Sequence, residues 1–187
     1  MLRGKNVRLR VIEKEDIPEL IRIRNEEEVL IHLRSNIPQP TSVHAEVLDY
    51  EEKSKKKHKD EAEFTIVKLD GTIIGKCGTM HTRWKDSETT VHIYIGGSEN
   101  RGQGFGTEAM LLLLDFIFEQ MNLRRVKLYV FSFNERAIKS YEKAGFKVEG
   151  ILRQELFRNG KYYDVMQMSI LKHEYDVQMK GAFGDAV

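Results

Sequence analysis

The chain has one cysteine, Cys77, among 187 residues, so no intrachain disulfide can form. That fits a reducing compartment, and a cytoplasmic location is the expectation. Six histidines stand at 32, 44, 58, 81, 92 and 173 in no zinc-ligating spacing, so no catalytic metal is expected. Cys77 lies in a strand-like stretch and reads as a small core residue rather than a nucleophile. No apolar run approaches the roughly 18–20 residues that cross a bilayer. The run from Ala109 to Leu114 ends at Asp115. No signal segment is recognised near residue 1. Neither sign of charge dominates: 30 Lys and Arg against 29 Asp and Glu give a net charge of +1, which argues against nucleic acid as an obligate partner. The longest basic run, Lys53 to Lys59, is interrupted by Ser54 and His58 and reads as a solvated helix end. Prolines number three, and two of them, Pro38 and Pro40, break the chain between helical segments.

What is present is 41% apolar residues, enough for one folded domain with a real core. Residues 6–12 alternate as a first strand. Asp16 with Glu19 three residues on, and Pro18 between them, mark a helix start running toward Asn25. A second apolar segment reaches Leu33, and Thr41 is placed to cap a third helix. Residues 62–69 and 72–82 read as a hairpin about Asp70-Gly71. Lys85-Asp86-Ser87 turns into a strand over 88–95. An apolar helix over 107–118 follows, then a strand over 126–131, a short helix, and strands near 147–156 and 161–171 joined at Asn159-Gly160. The expectation is a single domain over 1–172 with a loose tail over 173–187.

The most informative segment is Arg101-Gly102-Gln103-Gly104-Phe105-Gly106, set between the strand carrying Val91, Ile93 and Ile95 and the apolar helix from Thr107. Glycine lets the main chain turn tightly and approach a ligand closely. A glycine turn that opens a helix aims unpaired N–H groups and the positive helix end at one spot, which favours phosphate. The dinucleotide fingerprint needs another spacing, and the Gly-Lys-Ser/Thr of a nucleotide-triphosphate loop is absent. A tight turn without ligand is the alternative. Further on, Asn134 is a good N-cap and Gly145 a good residue just past a helix end. Between them Ala137 and Tyr141 share one helical face, leaving room for a ligand and a hydroxyl to reach it. Alternatively, Tyr141 is an ordinary half-buried aromatic.

Together these segments resemble the GNAT superfamily of acetyl-CoA-dependent N-acetyltransferases. The family pattern Arg/Gln-x-x-Gly-x-Gly/Ala is matched at Arg101–Gly106. Asn-x-x-Ala-x-x-x-Tyr-x-x-x-Gly-Phe is matched from Asn134 to Phe146. Val148-Glu149-Gly150 and Arg158-Asn159-Gly160 look like the branch of spermidine and ribosomal-protein acetyltransferases. The resemblance is strongest over 88–171. It implies an α+β fold with a mixed, mostly antiparallel sheet of about six or seven strands flanked by helices on both faces. It also implies that the strands at 90–95 and 126–131 splay apart to admit the pantetheine arm.

The resemblance implies acetyl-CoA as cofactor, its pyrophosphate on main-chain N–H groups of Arg101 to Thr107 and its arm on the backbone of Ile93, Tyr94 and Ile95. Asn134 and Ala137 border the cofactor, and Tyr141 is the general acid. A base on the cofactor strand is less plain: the family glutamate aligns with Thr90, leaving Glu88, His92 or solvent. The acceptor, a small-molecule amine such as a polyamine, or a protein N-terminus, enters near Glu26, Glu27, Glu28, His32 and Asn36. Three adjacent carboxylates either attract such a cation or form a solvated helix end. Family habit suggests a homodimer. A non-catalytic module that senses acetyl-CoA is the other reading, since a cofactor site alone does not guarantee chemistry.

Overall fold

The structure, a computed structural model, describes residues 2–33, 37–55 and 61–182. Eight strands form one sheet: β1 (Leu2–Arg3), β2 (Val7–Val11), β3 (Glu63–Lys68), β4 (Ile73–Arg83), β5 (Glu88–Ile95), β6 (Arg125–Phe131), β7 (Lys147–Arg158) and β8 (Lys161–Leu171). Their order is β1-β2-β3-β4-β5-β6-β8-β7, antiparallel throughout except for β5 beside β6. Six helices complete the described chain: α1 (Ile17–Arg24), α2 (Glu27–Leu30), α3 (Val43–Ser54), α4 (Phe105–Asp115), α5 (Glu135–Lys143) and α6 (Lys172–Ala182). None is long and apolar enough to cross a membrane. The sheet is one or two strands wider than expected, because the two-residue β1 pairs with β2.

Alternation in the strands divides the core. Val91, with Ile93 and Ile95, faces the side covered by α4. Tyr94 points the other way, its hydroxyl 3.4 Å from the Leu20 carbonyl of α1. The α4 segment is apolar all round because it lies deep against the sheet: Met110, Leu113 and Leu114 are fully buried. At about 1.5–3 kcal/mol for each large apolar side chain, this helix anchors the fold. It widens into a π-helical turn over Phe116–Gln120, where Met121 N–H donates to the Phe116 carbonyl. Asn122, in the left-handed region at φ 53°, stops it.

Several sequence expectations need correction. Asp16 stands at the N-cap position of α1, as expected, but makes no side-chain cap bond there. It ends a short 3-10 turn over Lys14–Asp16 and takes two bonds from the Arg10 guanidinium, at 2.5 and 2.6 Å. Thr41 makes no side-chain cap for α3; its main chain is held instead by Asn25, at 2.8 and 2.9 Å. The segment read as a loose tail is α6 as far as residue 182. Its Tyr175 is buried against Phe118, ring centroids 5.0 Å apart, which an alternation test could not foresee in so polar a stretch. Residues 183–187 and 56–60, the latter holding most of the basic run, lie outside the described residues.

Asp16 gives a stability prediction. Burial disfavours its charge, yet Arg10, the Glu13 N–H and the Thr65 hydroxyl outweigh that and hold the carboxyl below its usual value. Breaking a buried pair costs about 3–5 kcal/mol, and the partly exposed Arg10 places Asp16→Asn near the lower end. A group with a depressed folded pKa stabilises above its unfolded pKa of about 3.9 and loses that contribution as pH falls. The gap between wild type and variant in urea titrations is therefore expected to be largest at neutral pH and to close in acid. A constant gap at all pH values contradicts the ion-pair account.

Candidate active site

Strands β5 and β6 pair only at Glu88↔Arg125, Thr89↔Val126 and Thr90↔Lys127. Beyond that vertex they diverge, so Val91–Ile95 and Leu128–Phe131 have no partner across the gap. The Gly96 N–H donates to the Ile74 carbonyl of β4 at 3.0 Å. Peptide directions alternate along a strand, so the N–H and C=O of Val91, Ile93 and Ile95 face the opening. The Tyr94 peptide faces β4, where its carbonyl crowds Gly75. The expected trio is thus two residues: Ile93 and Ile95 border the cleft, and Tyr94 supports α1 from behind.

The gap continues into a cleft of about 1540 Å³. The glycine turn lines one end, α5 one wall along its whole length, and the β7–β8 hairpin the other end. Gly102 and Gly104 sit at φ 71° and 81°, which L side chains rarely adopt. Gly104 is the residue before α4, and no described residue accepts from the N–H groups of Gly102 to Thr107. The turn therefore presents free donors at the positive end of a helix dipole. Gly106 lies beside Ile95 and Ser140, and Thr107 is tied to Ser140 across 2.8 Å, fastening α4 to α5. Gln103 does not line the cleft, while Arg101 and Phe105 do. Arg101 forms an ion pair with Glu28.

Asn134 caps α5 by accepting from the Ala137 N–H at 3.2 Å, and both residues line the cleft. Tyr141 lies one turn further along, packed near Phe146. Burial pushes its phenol up to about 12. Its hydroxyl bonds to no described residue, so the donor is available inside the cleft.

The base candidates separate clearly. Glu88 is buried below the vertex, outside the cleft, and held by Lys127 at 2.7 Å, Arg83 at 2.8 Å and Arg125 at 3.5 Å. The Lys127 hydrogen bond above all holds its carboxyl below the usual range, and burial does not reverse this. It is a strand-joining ion-pair hub and a poor proton acceptor. His92 lines the cleft, with Nε2 2.9 Å from Glu63 Oε1. Sequence reading missed Glu63.

The acceptor candidates divide as well. Glu26 accepts from the Gly97 N–H at 2.9 Å and pairs with Arg22, so it braces the turn after β5. Glu27 is exposed and does not line the cleft. Glu28 and His32 do. His32 leans on Phe133, with burial and then Arg136 lowering its pKa. Asn36 lies outside the described residues. Glu155 reaches the cleft from a bulge in β7, where pairing jumps from Leu152↔Val165 to Leu156↔Tyr163. No signal in the local sequence announced that bulge beyond its polar Arg153-Gln154-Glu155.

A splayed parallel pair, a glycine turn with free donors and a buried phenol define a site for a thioester cofactor. The sequence matches the acetyltransferase (GNAT) domain over residues 6–147. The chain belongs to the GNAT family. It is 32% identical to the SPbeta prophage-derived uncharacterized N-acetyltransferase YokL of Bacillus subtilis, over 93% of this chain and 94% of that one. It is 31% identical to spermidine N(1)-acetyltransferase of Escherichia coli K12, over 94% and 91%. Its fold matches the crystal structure of spermidine N-acetyltransferase from Vibrio cholerae in complex with CoA and spermine, with TM-score 0.82 and 27% identity over 90% of this chain and 97% of that one. This GNAT protein is an acetyl-CoA-dependent N-acetyltransferase. Among its described residues no cluster of His, Cys, Asp or Glu is arranged to hold a metal.

Gly104→Val tests the turn. An L side chain in left-handed backbone costs about 1–2 kcal/mol, so the turn shifts and KM for acetyl-CoA is expected to rise about tenfold. Steady-state kinetics at saturating amine check this; an unchanged KM means that the cofactor does not rest on this turn.

Proposed function

We propose that this GNAT enzyme acetylates a terminal primary amine of an aliphatic polyamine, by direct attack on acetyl-CoA in a ternary complex. The observation that carries the site is the open β5–β6 gap running from the glycine turn to Tyr141. The free N–H groups of the turn hold the pyrophosphate. The Ile93 and Ile95 peptides pair with the pantetheine arm. A main-chain N–H of β5 polarises the thioester carbonyl, a contribution of about 3 kcal/mol in comparable oxyanion sites. His92 takes the proton of the incoming ammonium. Tyr141 donates to the sulfur as it departs. A phenol raised to about 12 stays protonated throughout the working range, so it is always a donor to the developing thiolate.

Direct transfer has structural support in Cys77. The chain's one thiol is fully buried, and burial pushes its pKa far above the ordinary range, so it cannot carry the acetyl group. The polyamine acceptor is supported by the names of the Escherichia coli and Vibrio cholerae relatives and by Glu155, a carboxylate at the hairpin end of the cleft. The test is purified protein with radiolabelled acetyl-CoA and a panel of polyamines, monoamines and peptides. Label on the polyamines, matched by release of free thiol, is expected. Label on peptides alone contradicts the polyamine acceptor, and thiol release with no amine in the panel contradicts the enzyme.

A further inference from the structure

Three strands bring one row of residues into line. Glu63 of β3 is registered with Gly78 of β4, and Gly78 with His92 of β5. The middle residue has no side chain, and the Glu63 carboxylate extends over it to His92. A Cβ at Gly78 would stand 3.1 Å from that carboxyl group and 2.5 Å from the Ala62 carbonyl oxygen. The Glu63 backbone is itself fixed. Its neighbour Ala62 donates to the Thr79 hydroxyl at 2.8 Å and accepts from the Thr79 N–H at 2.8 Å. Among the described residues the carboxylate has two partners, His92 Nε2 at 2.9 Å and Lys76 Nζ at 2.6 Å. The Nδ1 of His92 bonds to no described residue.

We propose that Glu63 is the positioning residue of this acetyltransferase: reaching across Gly78, it holds His92 with the proton on Nε2, leaving Nδ1 to take the proton from the acceptor ammonium. The inference rests on His92 being the base. In the step, the ammonium N–H bond breaks, its electron pair stays on nitrogen for attack on the thioester carbon, and the proton moves to Nδ1. The resulting imidazolium is stabilised by the Glu63 carboxylate, already partnered through Nε2–H. Burial disfavours the charge of that carboxylate, but the His92 bond first, and Lys76 after it, outweigh burial and hold it below its usual value. A further charged group coupled to this row is Lys53 of α3, whose pKa Glu63 helps to raise. A glutamate serving only to join strands needs no glycine between it and a cleft-lining imidazole.

The experiment is nitrogen NMR of the His92 ring in the intact protein across neutral pH, with kcat and KM profiles for wild type, Glu63→Gln and His92→Gln. The wild-type spectrum needs no variant to fold, and circular dichroism controls the two that do. Expected are the Nε2–H tautomer in wild type and a mixture of tautomers in Glu63→Gln. The same variant should show about a tenfold fall in kcat and an unchanged KM for acetyl-CoA. A wild-type Nδ1–H tautomer overturns the proposal. So does a Glu63→Gln profile superimposable on wild type, and if His92→Gln is then inactive the base stands without its positioner. A fully active His92→Gln removes the base itself, whatever the spectrum shows.

Discussion

Tyr141→Phe is expected to lower kcat by about a hundredfold or more while leaving KM for acetyl-CoA nearly unchanged. The ring packs near Phe146 on a cleft wall that Ala137 and Ile93 also line, and phenylalanine keeps that packing. Only the hydroxyl is lost, and in its proposed role its hydrogen bond is made to charge that appears on sulfur as the bond breaks. An interaction made in the transition state alone shows in kcat rather than in binding. Because burial raises the phenol to about 12, the loss should be the same factor at every working pH. A hydroxyl that merely ordered the cofactor would appear in KM instead, and an unaltered kcat removes Tyr141 from the chemistry.

His92→Gln is expected to lose about a hundredfold in kcat/KM for the amine at neutral pH, with a dependence of the opposite kind. An aliphatic ammonium has a pKa near 10, so at neutral pH a proton must be removed before nitrogen can attack. As pH rises toward that value solvent has already done so, and wild type and variant should converge. Initial rates with acetyl-CoA saturating and amine limiting give the comparison. A constant ratio across the range assigns His92 to binding or structure. The two variants thus separate the two proton positions by their pH signatures.

Much of this site was legible because its signals are local. The glycine turn after an alternating strand, the Asn134 cap and the Ala137–Tyr141 face each lie within one short segment, and the structure brings them to a single cleft. The strand over 88–95 is found at those bounds, and the splay implied by family resemblance appears as the loss of pairing beyond Thr90↔Lys127. What escaped depends on register. Carried outward without a break from Val67↔Ile73, the pairing next to the turn, the register would place Glu63 opposite Cys77. The bulge between Ile66 and Val67 shifts the pairing by one residue and sets Glu63 opposite Gly78, in line with His92. Glu88 and Glu26 failed for a related reason. A carboxylate's use is decided by its neighbours across the sheet, and those neighbours are Lys127 and Arg83 in one case and the Gly97 N–H in the other. The family resemblance groups Tyr94 with Ile93 and Ile95, although peptide alternation sends it to β4. Glu155 reaches the cleft only through the β7 bulge.

The most direct test of the account is a crystal structure of this protein with coenzyme A. The account predicts the diphosphate on the N–H groups of Gly102 to Gly106 and the pantetheine amides paired with Ile93 and Ile95. It predicts the sulfur within hydrogen-bonding reach of the Tyr141 hydroxyl, about 3–3.5 Å. A sulfur on the α1 side of the sheet, or a diphosphate bound away from the glycine turn, contradicts it.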